Sequence, residues 1–352
     1  MYRRSDTLIH CSNSVGLTSF NYLSKSEFEC SEDLIEFLNK IDGWKSREQL
    51  SEIAIGYSLE ELDEVLDALV SCGALIQKGT DQEQFENEYK NSWKWGIPAA
   101  ALHFGLQDNK SMSVEAAEAL QIEKQKKIPQ PALFLTNESF DETIELERDL
   151  PNNSLLALMA KRRTHRTIRP QPISTKMLAD CLFAGLGIVD NTANCAGELP
   201  LSMTPSGGAR NPFEAFVLIQ DVSGLEPGYY HYSATEHSLG LIERAGDTNV
   251  EPARLIGDQA WMNDMPAIIF LVGYLERSMW KYQDPNAYRV MLIEAGHIGQ
   301  NIMLAATDHK LTACPSAALS HKQIKAAFGI DGLTRTPVYA LGLGSPEYPQ
   351  NA

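Results

Sequence analysis

The sequence predicts an α+β protein with a small helical domain ahead of a larger mixed one, and three observations predict it. Residues 214–222 and 267–275 are nearly continuous apolar runs of strand length, the pattern of central strands buried on both faces. Between 288 and 309, Met291, Ala295, Ile298, Ile302 and Ala305 recur at spacings of four, three, four and three, which makes one buried stripe of a long helix. Ahead of both, residues 28–78 read as helix, helix, helix, strand, a winged-helix-like order.

In the first domain, residues 32–39 carry Leu34, Ile35, Phe37 and Leu38. Ser46-Arg47-Glu48-Gln49 looks like a capped helix start, and Ser58-Leu59-Glu60-Glu61 matches a capping box. The helix after it puts Leu62, Val65, Leu66 and Leu69 on one side, until Cys72-Gly73 stops it before a short strand. Residues 79–150 are more polar and read as a bridge. One island in it, from Trp93 to Phe104, is aromatic enough to pack on a neighbour, and His103 within it reads as structural.

Ser154 is an N-cap candidate for a helix that runs into Ala160-Lys161-Arg162-Arg163-Thr164-His165-Arg166. A second helix over 176–184 breaks at Gly185-Leu186-Gly187, followed by a loop over 190–198 rich in Asn, Gly and Ala. The proline-bounded Thr204-Pro205-Ser206-Gly207-Gly208-Ala209-Arg210-Asn211-Pro212 is either an ordinary turn or a place where backbone lies against a planar ligand. Residues 229–232 and 237–242 read as a hairpin, 253–261 as helical and 336–344 as the last strand. Gly296 and Gly299 predict close approach of another helix to the long one, as in a tightly packed dimer core.

At 352 residues the chain can bury a large core, and two domains are the expectation. A net charge of −16 argues against nucleic acid as a partner, because duplex binding is driven mostly by phosphate neutralisation. No stretch approaches the apolar length of a membrane span, and the N-terminus lacks the apolar core of a secretory signal. Cys11, Cys30, Cys72, Cys181, Cys195 and Cys314 form no CxxC pair. They predict reduced thiols in the cytoplasm, not a disulfide framework or a zinc site.

The arginine stretch is thus a basic island in an acidic molecule. If the helix continues through it, Arg162 and Arg166 share a face with Arg163 beside them and the Thr164 hydroxyl between. Guanidinium forks suit phosphate, so a small anionic ligand is one reading; complementing the helix dipole is the other. Glu294 and His297 form half of a di-iron motif, but no second copy exists and no metal is expected. No dinucleotide fingerprint or phosphate-binding GxxxxGK appears, and Cys314 reads as a small buried thiol.

Four ordered motifs together, the arginine stretch, Pro205-Ser206-Gly207-Gly208-Ala209-Arg210-Asn211-Pro212, Leu225-Glu226-Pro227-Gly228-Tyr229-Tyr230-His231-Tyr232 and Glu294-Ala295-Gly296-His297-Ile298-Gly299-Gln300-Asn301, resemble the nitroreductase superfamily. Within it they resemble the SagB-type dehydrogenases, FMN-dependent oxidases of thiazole/oxazole-modified peptide pathways. The resemblance covers about 154–344 and implies a nitroreductase-like fold, with a central, mainly antiparallel sheet flanked by helices. Residues 1–80 resemble the peptide-recognising winged-helix modules that accompany such enzymes. The expected division is therefore a recognition module over 1–80, a bridging region over 81–150 and an FMN-binding catalytic domain over 151–352.

By the same resemblance Arg162, Arg163, Thr164 and Arg166 would hold the FMN phosphate. Pro205, Ser206 and Gly207 would lie along the isoalloxazine ring, contributed by the other subunit of a homodimer. Ala317 and Ala318 would point backbone N–H groups at the flavin N5 edge, favouring the reduced flavin. Relatives often add a C-terminal Lys or Arg to the phosphate, and residues 344–350 have none. Lys281 and Tyr282 resemble the Lys-Tyr pair of azoline dehydrogenases, where a base must remove an α-proton; burial would lower the lysine towards neutrality. The implied activity is oxidation of thiazoline or oxazoline rings to azoles in a ribosomal peptide or a similar intermediate, with a cyclase as possible partner. Two alternatives stand beside it: a nitroreductase-like oxidoreductase acting on a free or carrier-protein-bound small molecule, and a flavin-free scaffold that recruits a peptide.

Overall fold

The computed structural model describes residues 1–12, 14, 16–54, 58–108, 113–128, 154–194, 197–246 and 251–347. Strand β1 (Tyr2–Arg4) leads into a meander of β2 (Leu8–Ser12), β3 (Leu17–Asn21) and β4 (Ser26–Cys30). Helices α1 (Glu32–Lys40), α2 (Arg47–Ile53) and α3 (Leu59–Ser71) follow, and β5 (Leu75–Gln77) returns antiparallel to β1. Ser31, Ser46 and Ser58 cap the three helices, the last two in capping boxes, because the first N–H groups of a helix otherwise lack partners. Leu38, Leu50, Leu62, Leu66 and Leu69 close a core of their own. Three helices with a two-stranded wing match the order read from 28–78; the β2–β4 meander is an addition to it.

Helices α4 (Asp81–Ser92) and α5 (Gly96–Gly105) form an aromatic strut, with α6 (Val114–Lys127) beyond. Trp93, Trp95, Ala99, Ala100 and Phe104 pack into the same core as the large sheet, and so do Tyr22 and Leu23 from the first 80 residues. The aromatic island does pack on a neighbour. At its other end Glu86 is 1 % exposed and takes hydrogen bonds from Arg3 at 2.5 Å and Ser5 at 2.7 Å. His103 is buried between Tyr288 Oη at 2.9 Å and Gln107 at 2.8 Å, and burial pushes its pKa down to about 3, so it is a neutral structural histidine.

The remaining chain supplies α7 (Leu155–Lys161), β6 (Ile173–Ser174), α8 (Thr175–Leu186), β7 (Ile188–Asn194), β8 (Gly197–Ser202), β9 (Phe213–Ile219), β10 (Val222–Ser223), β11 (Gly228–Ser233) and β12 (Ser238–Arg244). After them come α9 (Pro252–Leu255), β13 (Ala267–Tyr274), α10 (Leu275–Lys281), α11 (Asn286–Asp308), β14 (Thr312–Ser316), α12 (His321–Ala327) and β15 (Arg335–Gly344). The large sheet runs β12-β11-β9-β13-β15-β14, and every neighbouring pair is antiparallel. Side chains alternate across a strand, so Ala215, Val217, Ile269 and Leu271 join the core under α8 and α11, and Phe216, Leu218, Ile268 and Phe270 join the one under α9 and α12. Two buried faces explain why the strands read as unbroken apolar runs.

Two expectations are corrected and one is met. Residues 190–198 were expected as a loop, but β7 and β8 make an antiparallel hairpin there, with Cys195 and Ala196 outside the described residues. Helix α8 ends at Leu186 with Gly187 as its cap, within the expected Gly185-Leu186-Gly187 break, and Gly185 is where it crosses α11: an added Cβ would lie 2.8 Å from Ile302 and 3.1 Å from Ile298. Close helix approach therefore uses Gly185, while Gly299 makes room for the Tyr339 ring and Gly296 has nothing within 4 Å. Among the described residues no helix is long and apolar enough to cross a membrane, and Cys11, Cys30, Cys72, Cys181 and Cys314 are free.

Candidate functional site

Ser154 caps α7 as expected, but the helix ends at Lys161 and residues 162–167 are extended. Thr164, Thr167 and Ile168, followed by Pro170, are poor residues for continuing a helix. The backbone finds partners on the edge strand β14 instead: His165 N–H donates to Thr312 Oγ1 at 3.0 Å, and Cys314 Sγ donates to the His165 carbonyl at 3.0 Å. The shared helical face of Arg162 and Arg166 is therefore not formed. In an extended chain the alternate residues Arg162, Thr164 and Arg166 share a side, and Arg162 Nη1 lies 3.4 Å from Thr164 Oγ1.

Arg163 turns back and caps α7, donating to the carbonyls of Ala160 at 2.8 Å and Arg162 at 2.7 Å. Arg166 stacks over Trp261 at 5.4 Å. Among the described residues none of the three arginines has a carboxylate partner. His165 Nε2 is buried with no hydrogen-bond partner there. Such a donor set can take an anion without first breaking an ion pair. The C-terminal segment passes alongside, with Arg169 N–H donating to Ser345 O at 2.8 Å and its guanidinium to Glu347 O at 3.2 Å.

The Pro205 loop sits elsewhere, against the first half of α11. Gly208 and Ala209 have φ of 65° and 52°, a left-handed pair for which glycine is suited. Glu294 accepts the Gly207 N–H at 3.2 Å and a hydrogen bond from the Ser206 side chain; burial nevertheless holds its carboxyl above the usual carboxylate range. Lys281 and Tyr282, at the end of α10, meet this loop at one residue. A Cβ added to Gly208 would lie 2.3 Å from Tyr282 Oη and 2.4 Å from Lys281 Nζ. Lys281 is exposed, so this chain alone does not supply the desolvation expected of it.

Two cavities adjoin the loop. One of 230 Å³ is lined by Gly207, Tyr282, Val290, Met291 and Glu294. The other, of 510 Å³, holds Asn211, Glu214, His231 and Arg277, and Glu294 reaches it too. In the second, Glu214 is half-buried, and against that desolvation the hydrogen bonds from His231 and Arg277 hold its pKa below the usual range. Glu294 is the residue the sequence reading missed as part of this site. The signal was present: it falls three residues after Met291, a carboxylate beside the apolar stripe, whereas its supposed partner His297 is exposed.

Ala317 and Ala318 follow β14, the strand that carries the arginine segment. Ala317 is exposed, and the Ala318 N–H lies 3.2 Å from Ser316 Oγ. No hydrogen bond or ion pair among the described residues joins the arginine group to the Pro205–Tyr282 group. The anion-accepting edge and the glycine-lined ledge are thus not bonded to each other among the described residues.

The nitroreductase family model matches residues 159–345, which span the sheet, both groups and α11. MJ1384 of Methanocaldococcus jannaschii, a protein assigned to the nitroreductases, is 29% identical over 187 residues, 52% of this chain and 89% of the relative. The trifolitoxin-processing protein TfxB of Rhizobium leguminosarum bv. trifolii is 36% identical over 113 residues, 31% of this chain and 30% of the relative. The chain thus spans nearly all of MJ1384 but under a third of TfxB. Among solved structures, one chain of the E. coli microcin synthetase McbBCD complex with truncated pro-MccB17 bound matches at a TM-score of 0.48 and 16% identity, covering 76% of this chain and 95% of that one.

Proposed function

Since the chain belongs to the nitroreductase family, we propose that this oxidoreductase is an FMN-dependent dehydrogenase of the SagB type. Its substrate would be an azoline ring, thiazoline or oxazoline, in a ribosomal peptide or similar natural-product intermediate. The observation that carries the reading is the meeting at Gly208, where the Lys281 amine and the Tyr282 hydroxyl close on the same glycine-lined ledge. The likeness to a trifolitoxin-processing protein supports a peptide substrate.

The residues fit FMN at both ends. Arg162, Thr164 and Arg166 form a cationic edge with no carboxylate partner among the described residues, suited to a phosphomonoester, while Arg163 serves the helix end. At Gly207 and Gly208 the missing Cβ lets Val290, Lys281 and Tyr282 pack onto the bare backbone, so the ring would rest on a ledge that carries the catalytic pair, and Glu294 fixes the Gly207 N–H of that ledge. When bound, FMN supplies a hydride acceptor. The chain's part is to hold phosphate and ring and to take the α-proton at Lys281 Nζ or Tyr282 Oη. As the family resemblance implies, the site is proposed to form between two copies, the edge from one and the ledge from the other. Residues 1–80 are proposed to hold the peptide, and a cyclase is the candidate partner that forms the ring.

Lys281→Ala tests the reading. It should keep bound flavin, because it removes a base and no phosphate ligand, and lose at least about a hundredfold in azoline oxidation, read by mass spectrometry as the loss of two hydrogens from a thiazoline peptide. Full turnover by this variant sinks the assignment.

A further inference from the structure

We propose that Trp95, which lies outside the family-matched segment, is a positioning residue for the Lys281–Tyr282 pair, so that the α4–α5 strut belongs to the active-site scaffold. The proposal rests on the catalytic reading of that pair.

Tyr282 closes α10, and its N–H donates to Ser278 O at 2.9 Å. Its carbonyl is one of those a helix end leaves without a partner. Trp95 Nε1 donates to that carbonyl at 2.9 Å across a sequence separation of 187 residues. The other hydrogen bonds of the turn into α11 are local: Asn286 N–H reaches Asp284 Oδ1, and Ala287 N–H reaches Asp284 O. One indole therefore sets where the peptide after Tyr282 lies, while Lys281 and Tyr282 themselves reach Gly208.

The indole is itself held firmly. Trp95 is 1 % exposed, with its ring 5.9 Å from Trp93 and 5.8 Å from Tyr288. Trp93 Nε1 donates to Gly96 O at 2.9 Å, and Tyr288 Oη is bonded to His103. A rigid aromatic block that presses one N–H on one carbonyl is suited to fixing a general base, since a misplacement of about 1 Å can cost a reaction about a hundredfold.

Trp95→Phe keeps a buried ring and removes the donor. In FMN-loaded protein mixed anaerobically with a thiazoline-containing peptide, flavin bleaching at saturating peptide should slow about tenfold, with flavin occupancy and the half-saturating peptide concentration unchanged. In a Lys281→Ala/Tyr282→Phe background the same substitution should change the residual rate by less than about twofold, because neither candidate base is left to position. Trp95→His, which restores a ring N–H, should recover part of the lost rate. A wild-type rate in Trp95→Phe, equal fold losses in both backgrounds, or no recovery in a flavin-loaded Trp95→His overturns the proposal. Full turnover by Lys281→Ala alone, or no bleaching of the unaltered protein, instead overturns the catalytic reading and takes this proposal with it.

Discussion

Arg162 and Arg163 are adjacent and chemically identical, yet they face different work. Arg163 is spent on the carbonyl end of α7, where a cation also meets the negative end of the helix dipole. Arg162 lies beside Thr164 and near Tyr339, with no carboxylate partner among the described residues. Arg162→Ala should therefore weaken FMN by about ten- to a hundredfold, the worth of a charge-assisted hydrogen bond, whereas Arg163→Ala should change affinity far less and act on stability. Flavin fluorescence titration of both variants checks this; equal affinities for wild type and Arg162→Ala would remove the phosphate site. Residue types were legible here and their division was not. Arg163 takes up the dipole-complement reading and leaves Arg162 for the proposed anion site, because the helix stops at Lys161. Glu294 was hidden for the opposite reason, since its role depends on a loop some 90 residues earlier in the chain.

Elements whose pattern is set by their own burial were readable. Strands β9 and β13 and helix α11 carry their periodicity openly, and Ser46, Ser58 and Ser154 marked helix starts that the structure keeps. Strands β2, β3 and β4 were not seen, because their alternation is between polar and half-buried residues, and the β7–β8 hairpin carries Asp190, Asn191, Asn194, Gly197 and Pro200, residue types depleted in strands. The α5 strut adds a consequence in pH. His103 has a folded pKa of about 3 against 6.5 when unfolded, so the folded state binds fewer protons between those values. Its contribution is complete above about pH 6.5 and is lost as pH falls from there towards 3. Between pH 7 and 5 the wild type should lose about 2 kcal/mol more than His103→Gln, as judged by urea midpoints at the two pH values. Parallel losses would mean that His103 is not held neutral by burial.

At the scale of the whole molecule, the proposed composite site would require a second copy, and α11 offers a face for it. Its inner stripe of Met291, Ala295, Ile298 and Ile302 is buried against the sheet and α8. Its outer side shows Val290 and Ile293, 40 % and 53 % exposed, in line with Gly296, which has nothing within 4 Å. Within one chain, leucine at 296 fits freely and is a better helix former than glycine by up to about 1 kcal/mol. Against a second helix pressed onto that glycine the same side chain is an obstruction. Gly296→Leu should therefore raise the melting temperature of the isolated chain while halving the mass seen by sedimentation, and it should release flavin together with the partner that supplies the ledge. A dimer of unchanged mass and flavin content would place the second copy on another face of the molecule, and a monomer that keeps its flavin would mean that one chain binds FMN without a ledge from its neighbour.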